Sequence, residues 1–292
     1  MGISRRLRIR RILLMGFLRL IRWPNLLFII LTQYFVRIFL VGPRDAWVSH
    51  FMDVRFLMLT LSTVLVAAAG YIINDYYDIK IDTINKPKRV VVGRILRRRW
   101  AMISHLLLNV TGILLAFMVD WKVGLVTFVS GFLLWLYSNQ LKRQPFTGNF
   151  TIALLTAASL LVVWIYQPRN EFLVYTFAAF AFFISLIREI IKDMEDVRGD
   201  ATFGCQTLPI IWGIRRTKIL LYILIFCFLL VLFSLSAYLQ NVVVMYFCFF
   251  ILVPVGWLTY KLFWADTKRE FSYLSKFCKL IMLSGILSMA LV

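Results

Sequence analysis

Negative charge is what this chain has least of. Only 14 of its 292 residues are Asp or Glu, against 33 Lys and Arg, and charged residues of both signs make up 16%. Soluble domains carry about 25% charged and roughly 45–50% apolar residues. Here 61% of the residues are hydrophobic and the mean hydropathy is +0.82, which excludes a water-soluble globule. Histidine is nearly missing: His50 and His105 are too few and too far apart for a His-based metal site. The four cysteines, Cys205, Cys227, Cys248 and Cys278, form no CxxC pair and read as small packing residues. No apolar/polar alternation persists, so strands are not expected. A net charge of +19 on so apolar a chain marks loops facing anionic lipid and argues against nucleic acid as a partner.

What is present is a series of long apolar runs. A membrane span needs about 20 such residues, and nine runs qualify: 18–40, 55–79, 99–119, 123–141, 149–167, 172–193, 217–239, 241–264 and 273–292. The expected fold is an all-α polytopic membrane protein of about nine transmembrane helices, forming a single membrane-embedded domain over 1–292. Tight hairpins are expected at Asp120–Lys122, Gln167–Asn170 and Gln240-Asn241, with longer polar links at 80–98, 194–216 and 265–272. The basic segment 1–17 lacks a small-residue cleavage site and reads as a retained cytoplasmic segment. With the N-terminus inside, 28 of the 33 Lys and Arg fall on one side, leaving only Arg37, Arg44, Arg55, Lys122 and Arg169 at the other. The positive-inside tendency makes the first side cytoplasmic.

The scarce acids are not scattered. Asp75, Asp78 and Asp82 follow one apolar run, and Asp193, Asp196 and Asp200 follow another at the same i, i+3, i+7 spacing, 118 residues later. With Glu189 and Glu195, these two segments hold eight of the 14 acids, both on the side assigned as cytoplasmic. On a helix this spacing makes one face two turns long. Three carboxylates on one face repel one another, and one Asp at a span centre costs about 2.5–3.5 kcal/mol, so a cation is called for. Mg²⁺ suits the pattern, because it takes hard oxygen ligands and is commonly held by one or two carboxylates plus substrate phosphate. Two such faces could hold ions that clamp a diphosphate, with Lys88, Arg89, Arg94, Lys142, Arg143 and Lys192 on the remaining oxygens. Asn74, ahead of the first Asp, is either a ligand or a packing amide. Tyr137 with Lys142-Arg143, and Arg22-Trp23-Pro24-Asn25, are either site residues or interfacial anchors.

Taken together, these segments resemble the UbiA-type superfamily of integral-membrane prenyltransferases. The resemblance rests on Asn74-Asp75-x-x-Asp78-x-x-x-Asp82 followed by Asn85–Arg89 and Gly93-Arg94-Ile95. It rests equally on Arg188–Asp196 with Asp200, on Arg22-x-Pro24-Asn25, and on Tyr137–Lys142. It implies nine helices around a central cavity open towards the cytoplasmic face. Asp75, Asp78 and Asp82 would hold one Mg²⁺ cluster and Asp193, Asp196 and Asp200 the other. Asp75, Asp78, Asp193, Asp196 and Lys142 would carry catalysis. Asn74, Arg22, Asn25, Lys88, Arg89, Arg94, Tyr137, Arg143 and Lys192 would bind substrate. In one departure, the family often places Lys four residues after Tyr, whereas Lys142 stands five after Tyr137 and Arg143 could substitute.

The implied reaction is transfer of a prenyl group from an allylic polyprenyl diphosphate to a lipophilic acceptor, releasing diphosphate. The wording around Arg188–Asp200 looks most like the branch that alkylates geranylgeranylglyceryl phosphate. An aromatic quinone precursor is the close alternative. A membrane terpene cyclase would keep the ionisation and dispense with the acceptor. A lipid or cation transporter would distribute its acids through span centres, and these acids cluster at the ends.

Overall fold

The computed structural model describes residues 13–43, 47–87, 90–239 and 242–292, with side chains described throughout except at 235, 236, 239 and 242–250. Among the described residues there are helices and no strands; the one β-bridge, Val92 to Leu96, closes the turn at Gly93. Eight helices among the described residues are long and apolar enough to cross a membrane. Of the span expected at 241–264, residue 241 lies outside the described residues and the rest is the helix Val242–Trp264, with Pro254 inside it; its described side chains begin at Ile251, a stretch shorter than a span. The chain is an integral multi-pass membrane protein. Its packing divides it into two compact units, residues 1–30 with 55–141 and residues 31–54 with 142–292.

The first unit contains α1 (13–20), the start of α2 (Trp23–Phe35), α4 (Val54–Tyr77), α5 (Ile79–Asn85), α6 (Arg98–Val119) and α7 (Trp121–Asn139). The apolar run expected as one span over 18–40 is interrupted by a turn at Ile21-Arg22. Buried Leu20, Ile72, Val91, Val92 and Ala101 form a small core under α1, α4 and the start of α6. His105 reaches from α6 to the carbonyl of Ala69 on α4 at 3.0 Å, so a polar ring in an apolar interface has its partner. Asp120 ends α6 and starts α7, its carboxylate accepting the Lys122 N–H at 2.7 Å, which is the capping expected of a tight hairpin.

In the second unit, α2 continues as a π-helical turn, Val36–Val41, closed by the Gly42 N–H on the Arg37 carbonyl at 2.8 Å. The short α3 (Trp47–Met52), α8 (Thr147–Tyr166), α9 (Glu171–Thr202), α10 (Leu208–Ile211), α11 (Gly213–Leu239), α12 (Val242–Trp264) and α13 (Lys268–Ser288) complete it. Its core is built on α9, which packs against α8, α11 and α13. Phe180, Ile184, Ile187, Ile191 and Met194 line the buried side of that helix. Phe180 stacks at a tilt on Phe228 with centroids 4.9 Å apart. On α13 the Phe180 ring meets Gly285, where an added Cβ would collide with Cε1 of that ring. Small residues allow such close helix approach within membranes.

Two boundaries differ from those expected. The link expected from 194 begins only after Thr202, because a run of charged residues ends an apolar stretch without ending a helix. What ends α9 is Gly204 at φ +71°, with the Cys205 N–H on the Asp200 carbonyl at 2.9 Å and the Gly204 N–H on that of Ala201 at 3.3 Å. That is the hydrogen-bond pattern of a glycine-terminated helix. Similarly, α13 begins at Lys268 and not at 273, because Thr267 and Glu270 form a capping box.

Candidate functional site

In the first unit, α4 carries Asn74 and Asp75 to its end, and the three acids do not share one unbroken helix as expected. The helix is interrupted at Asp78, whose φ −88° and ψ 3° lie in the sparsely populated bridge region, and α5 resumes at Ile79. The i to i−4 bonds are nevertheless kept: Asp78 N–H to Asn74 at 3.0 Å, Asp82 to Asp78 at 2.8 Å, and Lys86 to Asp82 at 2.8 Å. The interruption coincides with a side-chain bond, Asn74 Nδ2 donating to Asp78 Oδ2 at 2.9 Å. Asp78 is buried, and Asp75 and Asp82 are half-buried.

Asp75 has a cationic partner. Arg22 Nη2 donates to its Oδ1 at 2.8 Å, and the same guanidinium lies over the Tyr71 ring, 5.0 Å from its centroid. Burial works against the charge on Arg22, but Asp75, Tyr71 and Asp82 together more than offset this and raise the pKa of the guanidinium. Arg22 itself has φ 52°, a left-handed conformation that non-glycine residues rarely adopt and that costs about 1–2 kcal/mol. Asn25 donates its backbone N–H to the Arg22 carbonyl at 2.8 Å and so closes that turn. The turn at 21–22 thus aims a strained arginine at the first motif, so Arg22 stands on a motif carboxylate as well as being a candidate for substrate.

Around this motif, Arg94 is exposed and donates to the Pro87 carbonyl at 2.8 Å. Tyr137 lies half-buried in the last turn of α7. Lys88 and Arg89 lie outside the described residues.

In the second unit all three acids do lie on one continuous helix, α9. At 1.5 Å per residue its 32 residues extend roughly 48 Å, against about 30 Å of hydrocarbon core. The last turns, carrying Asp196 and Asp200, therefore have length to leave the core. Asp193 Oδ2 accepts from Asn149 Nδ2 at 2.7 Å, a bond from the first turn of α8. Glu189, 5% exposed, accepts from Arg188 and, at 3.0 Å, from Lys192 Nζ. Glu195 Oε2 accepts from Ser275 of α13 at 3.3 Å. Lys142 and Arg143 occupy the 3-10 turn after α7, and the Arg143 carbonyl accepts the Gln206 N–H at 2.8 Å. That bond ties the basic turn to the segment just beyond Asp200.

Sequence reasoning did not find Asn149, which stands 44 residues from its partner at the head of an apolar run and carries no local signal. Among the described residues no three His, Cys, Asp or Glu side chains gather into a group able to hold an ion alone. The donors nevertheless suit Mg²⁺, which keeps several waters and needs only one or two carboxylates beside phosphate. Each motif offers hard oxygens, held in place by neighbouring N–H donors and with no soft ligand among them.

Residues 24–281 match the UbiA prenyltransferase family. A digeranylgeranylglyceryl phosphate synthase of Methanosphaera stadtmanae is 30% identical over 251 residues, 84% of this chain and 90% of that protein. A solved structure from work on digeranylgeranylglyceryl phosphate synthase in membranes aligns with a TM-score of 0.72 at 23% identity, covering 96% of this chain and 99% of that one. A UbiA homologue from Archaeoglobus fulgidus, bound to GPP and Mg²⁺, aligns with a TM-score of 0.67 at 15% identity, covering 95% and 100%. At those identities the two structures speak for the fold. The family match runs from α2 into α13 and through both aspartate motifs, and the chain belongs to the UbiA prenyltransferase family.

Proposed function

We propose that this protein transfers a prenyl group from an allylic polyprenyl diphosphate to geranylgeranylglyceryl phosphate, with release of diphosphate. The observation that carries the acceptor is the 30% identity, over most of both chains, to a protein named digeranylgeranylglyceryl phosphate synthase. The reaction class is supported by family membership and by two acidic motifs whose carboxylates are held by N–H donors.

In the reaction, the allylic C–O bond breaks with its electron pair leaving on diphosphate. A glyceryl hydroxyl oxygen then attacks the prenyl carbon and loses its proton, forming an ether. Mg²⁺, when bound, supplies positive charge to the departing diphosphate. On this reading Asp75, Asp78 and Asp82, and Asp193, Asp196 and Asp200, are its ligands. Lys142, Arg143, Lys192 and Arg94, with Lys88 and Arg89, bind diphosphate oxygens, Lys as a point charge and Arg as a two-pronged donor. Lys192 carries three N–H donors, one of which points to Glu189. Arg22 holds Asp75, Asn25 holds the turn that presents Arg22, and Asn74 orients Asp78. Tyr137 stands beside the basic turn in sequence and binds the same substrate. The N-terminus and both motifs face the cytoplasm, a topology supported by the 28 Lys and Arg on that side.

The test is incubation of the purified protein with Mg²⁺, a panel of prenyl diphosphates, and either geranylgeranylglyceryl phosphate or an aromatic quinone precursor, read by mass spectrometry. The doubly prenylated glyceryl phosphate is expected. Product from the aromatic acceptor alone would overturn the acceptor. A cyclic hydrocarbon formed without any acceptor, or no turnover at all, would overturn the reaction.

A further inference from the structure

Three motif carboxylates share a feature that their spacing does not dictate. Each has one oxygen already taken by a protein N–H donor: Asp75 Oδ1 by Arg22 at 2.8 Å, Asp78 Oδ2 by Asn74 at 2.9 Å and Asp193 Oδ2 by Asn149 at 2.7 Å. The last differs from the others. Asn149 is 6% exposed, stands in the first turn of α8 and reaches across to α9, whereas Asn74 acts within its own turn. Its orientation follows from chemistry, because only the NH₂ end of an amide can face an ionised carboxylate. It is also neutral, so it fixes Asp193 without cancelling its charge.

We propose that Asn149 is a positioning residue that makes Asp193 a one-oxygen metal ligand and thereby sets a preference for Mg²⁺ over Ca²⁺. The proposal rests on the reading of Asp193 as a metal ligand given above. Mg²⁺ demands a near-octahedral shell at about 2.0–2.1 Å, while Ca²⁺ takes 6–8 oxygens at about 2.3–2.6 Å and accepts carboxylates through both oxygens. To offer both oxygens, Asp193 must either give up the Asn149 bond, leaving a buried amide unsatisfied, or share Oδ2 between that N–H and the ion. That cost falls on two-oxygen binding alone. One-oxygen binding through Oδ1 keeps the hydrogen bond and is held in direction by it. Donors behind a ligand typically change metal affinity 10–100-fold when lost.

The bland alternative is that Asn149 merely fastens α8 to α9, which affects stability and leaves the ratio of the two ions unchanged. Competition separates the two. Mn²⁺ is bound to the purified full-length protein, and its displacement by Mg²⁺ or by Ca²⁺ is followed through the electron paramagnetic resonance of free Mn²⁺. Asn149→Leu removes the donor at similar volume, and Asn149→Ser keeps a shorter one and carries the test if the Leu variant does not hold its fold. Asp193→Asn reports the ligand itself.

We expect Asn149→Leu to weaken Mg²⁺ about tenfold with Ca²⁺ unchanged or tighter, Asn149→Ser to fall between it and wild type, and Asp193→Asn to weaken both ions. If the Asn149 variants leave the Mg²⁺:Ca²⁺ ratio at its wild-type value while Asp193→Asn weakens both, the selectivity role is refuted and the ligand reading stands. If Asp193→Asn binds both ions as wild type does, the ligand reading falls and this proposal falls with it.

Discussion

Replacing Arg22 by Gln asks whether the first motif is a negative charge neutralised in advance by the protein. The ion pair with Asp75 is 2.8 Å long, with side chains 35% and 15% exposed. Pairs open to water contribute about 0.2–1 kcal/mol, and breaking a fully buried one costs about 3–5 kcal/mol. Arg22 is open by about a third, so screening by water keeps its pair near the lower figure. The Tyr71 face adds about 0.5–1 kcal/mol. Loss of both should lower stability by about 1–2 kcal/mol.

Gln is the right replacement and Gly is not, because Gly would also relieve the left-handed backbone at φ 52° and mask the loss. A double-mutant cycle with Asp75→Asn, read by thermal denaturation in detergent, should give a coupling of about 1 kcal/mol. The same variant has an opposite effect on cations. With Arg22 gone, Mg²⁺ no longer competes for Asp75, so its affinity should rise about fivefold for a pair worth about 1 kcal/mol. Additive single mutations, or weaker Mg²⁺ binding in Arg22→Gln, would refute the reasoning.

Two further outcomes follow from the site and the core. Asp75→Ala and Asp193→Ala should each abolish prenyl transfer while the protein elutes as a folded species, and EDTA should do the same to the wild type, reversibly on adding Mg²⁺; transfer at the wild-type rate in either variant would contradict the ligand roles. Gly285→Ala should destabilise the second unit by about 1–3 kcal/mol, because its Cβ would collide with a Phe180 ring packed on Phe228. Shortening the ring by Phe180→Leu should recover part of that loss, as read by thermal denaturation.

How much of this was readable in the residues depends on whether the signal is local. Helices α6, α7 and α8 lie within two residues of the runs expected at 99–119, 123–141 and 149–167, because polar residues bound those apolar stretches on both sides. The end of α9 was misplaced by nine residues, since hydropathy reports where the bilayer ends and Gly204 decides where the helix does. The start of α13 does carry a local sign, because Thr267-Lys268-Arg269-Glu270 is a capping-box sequence. The interruption at Asp78 had no such sign, because Asn74 and Asp78 stand at an ordinary i, i+4 helical spacing. Both aspartate motifs were legible from spacing alone. What holds their carboxylates was not, because Arg22 lies 53 residues from Asp75, and Asn149 lies 44 from Asp193, with no pattern joining them.

Those partners differ in kind, and the difference orders the two motifs. Arg22 brings a full positive charge to Asp75, so a cation arriving there must displace a guanidinium or share its carboxylate. Asn149 brings only a dipole to Asp193, and nearby Glu189 already occupies Arg188 and Lys192. The bond on Asp193 therefore adds no full positive charge, whereas the bond on Asp75 does, although both motifs have the same three aspartates. Two classes of Mg²⁺ site are expected in the protein without diphosphate. Asp193→Asn should remove the tighter and Asp75→Asn the weaker, and Arg22→Gln should bring the two affinities closer by strengthening the weaker one. A titration in which Asp75→Asn removes the tighter class would mean that the guanidinium does not set the order.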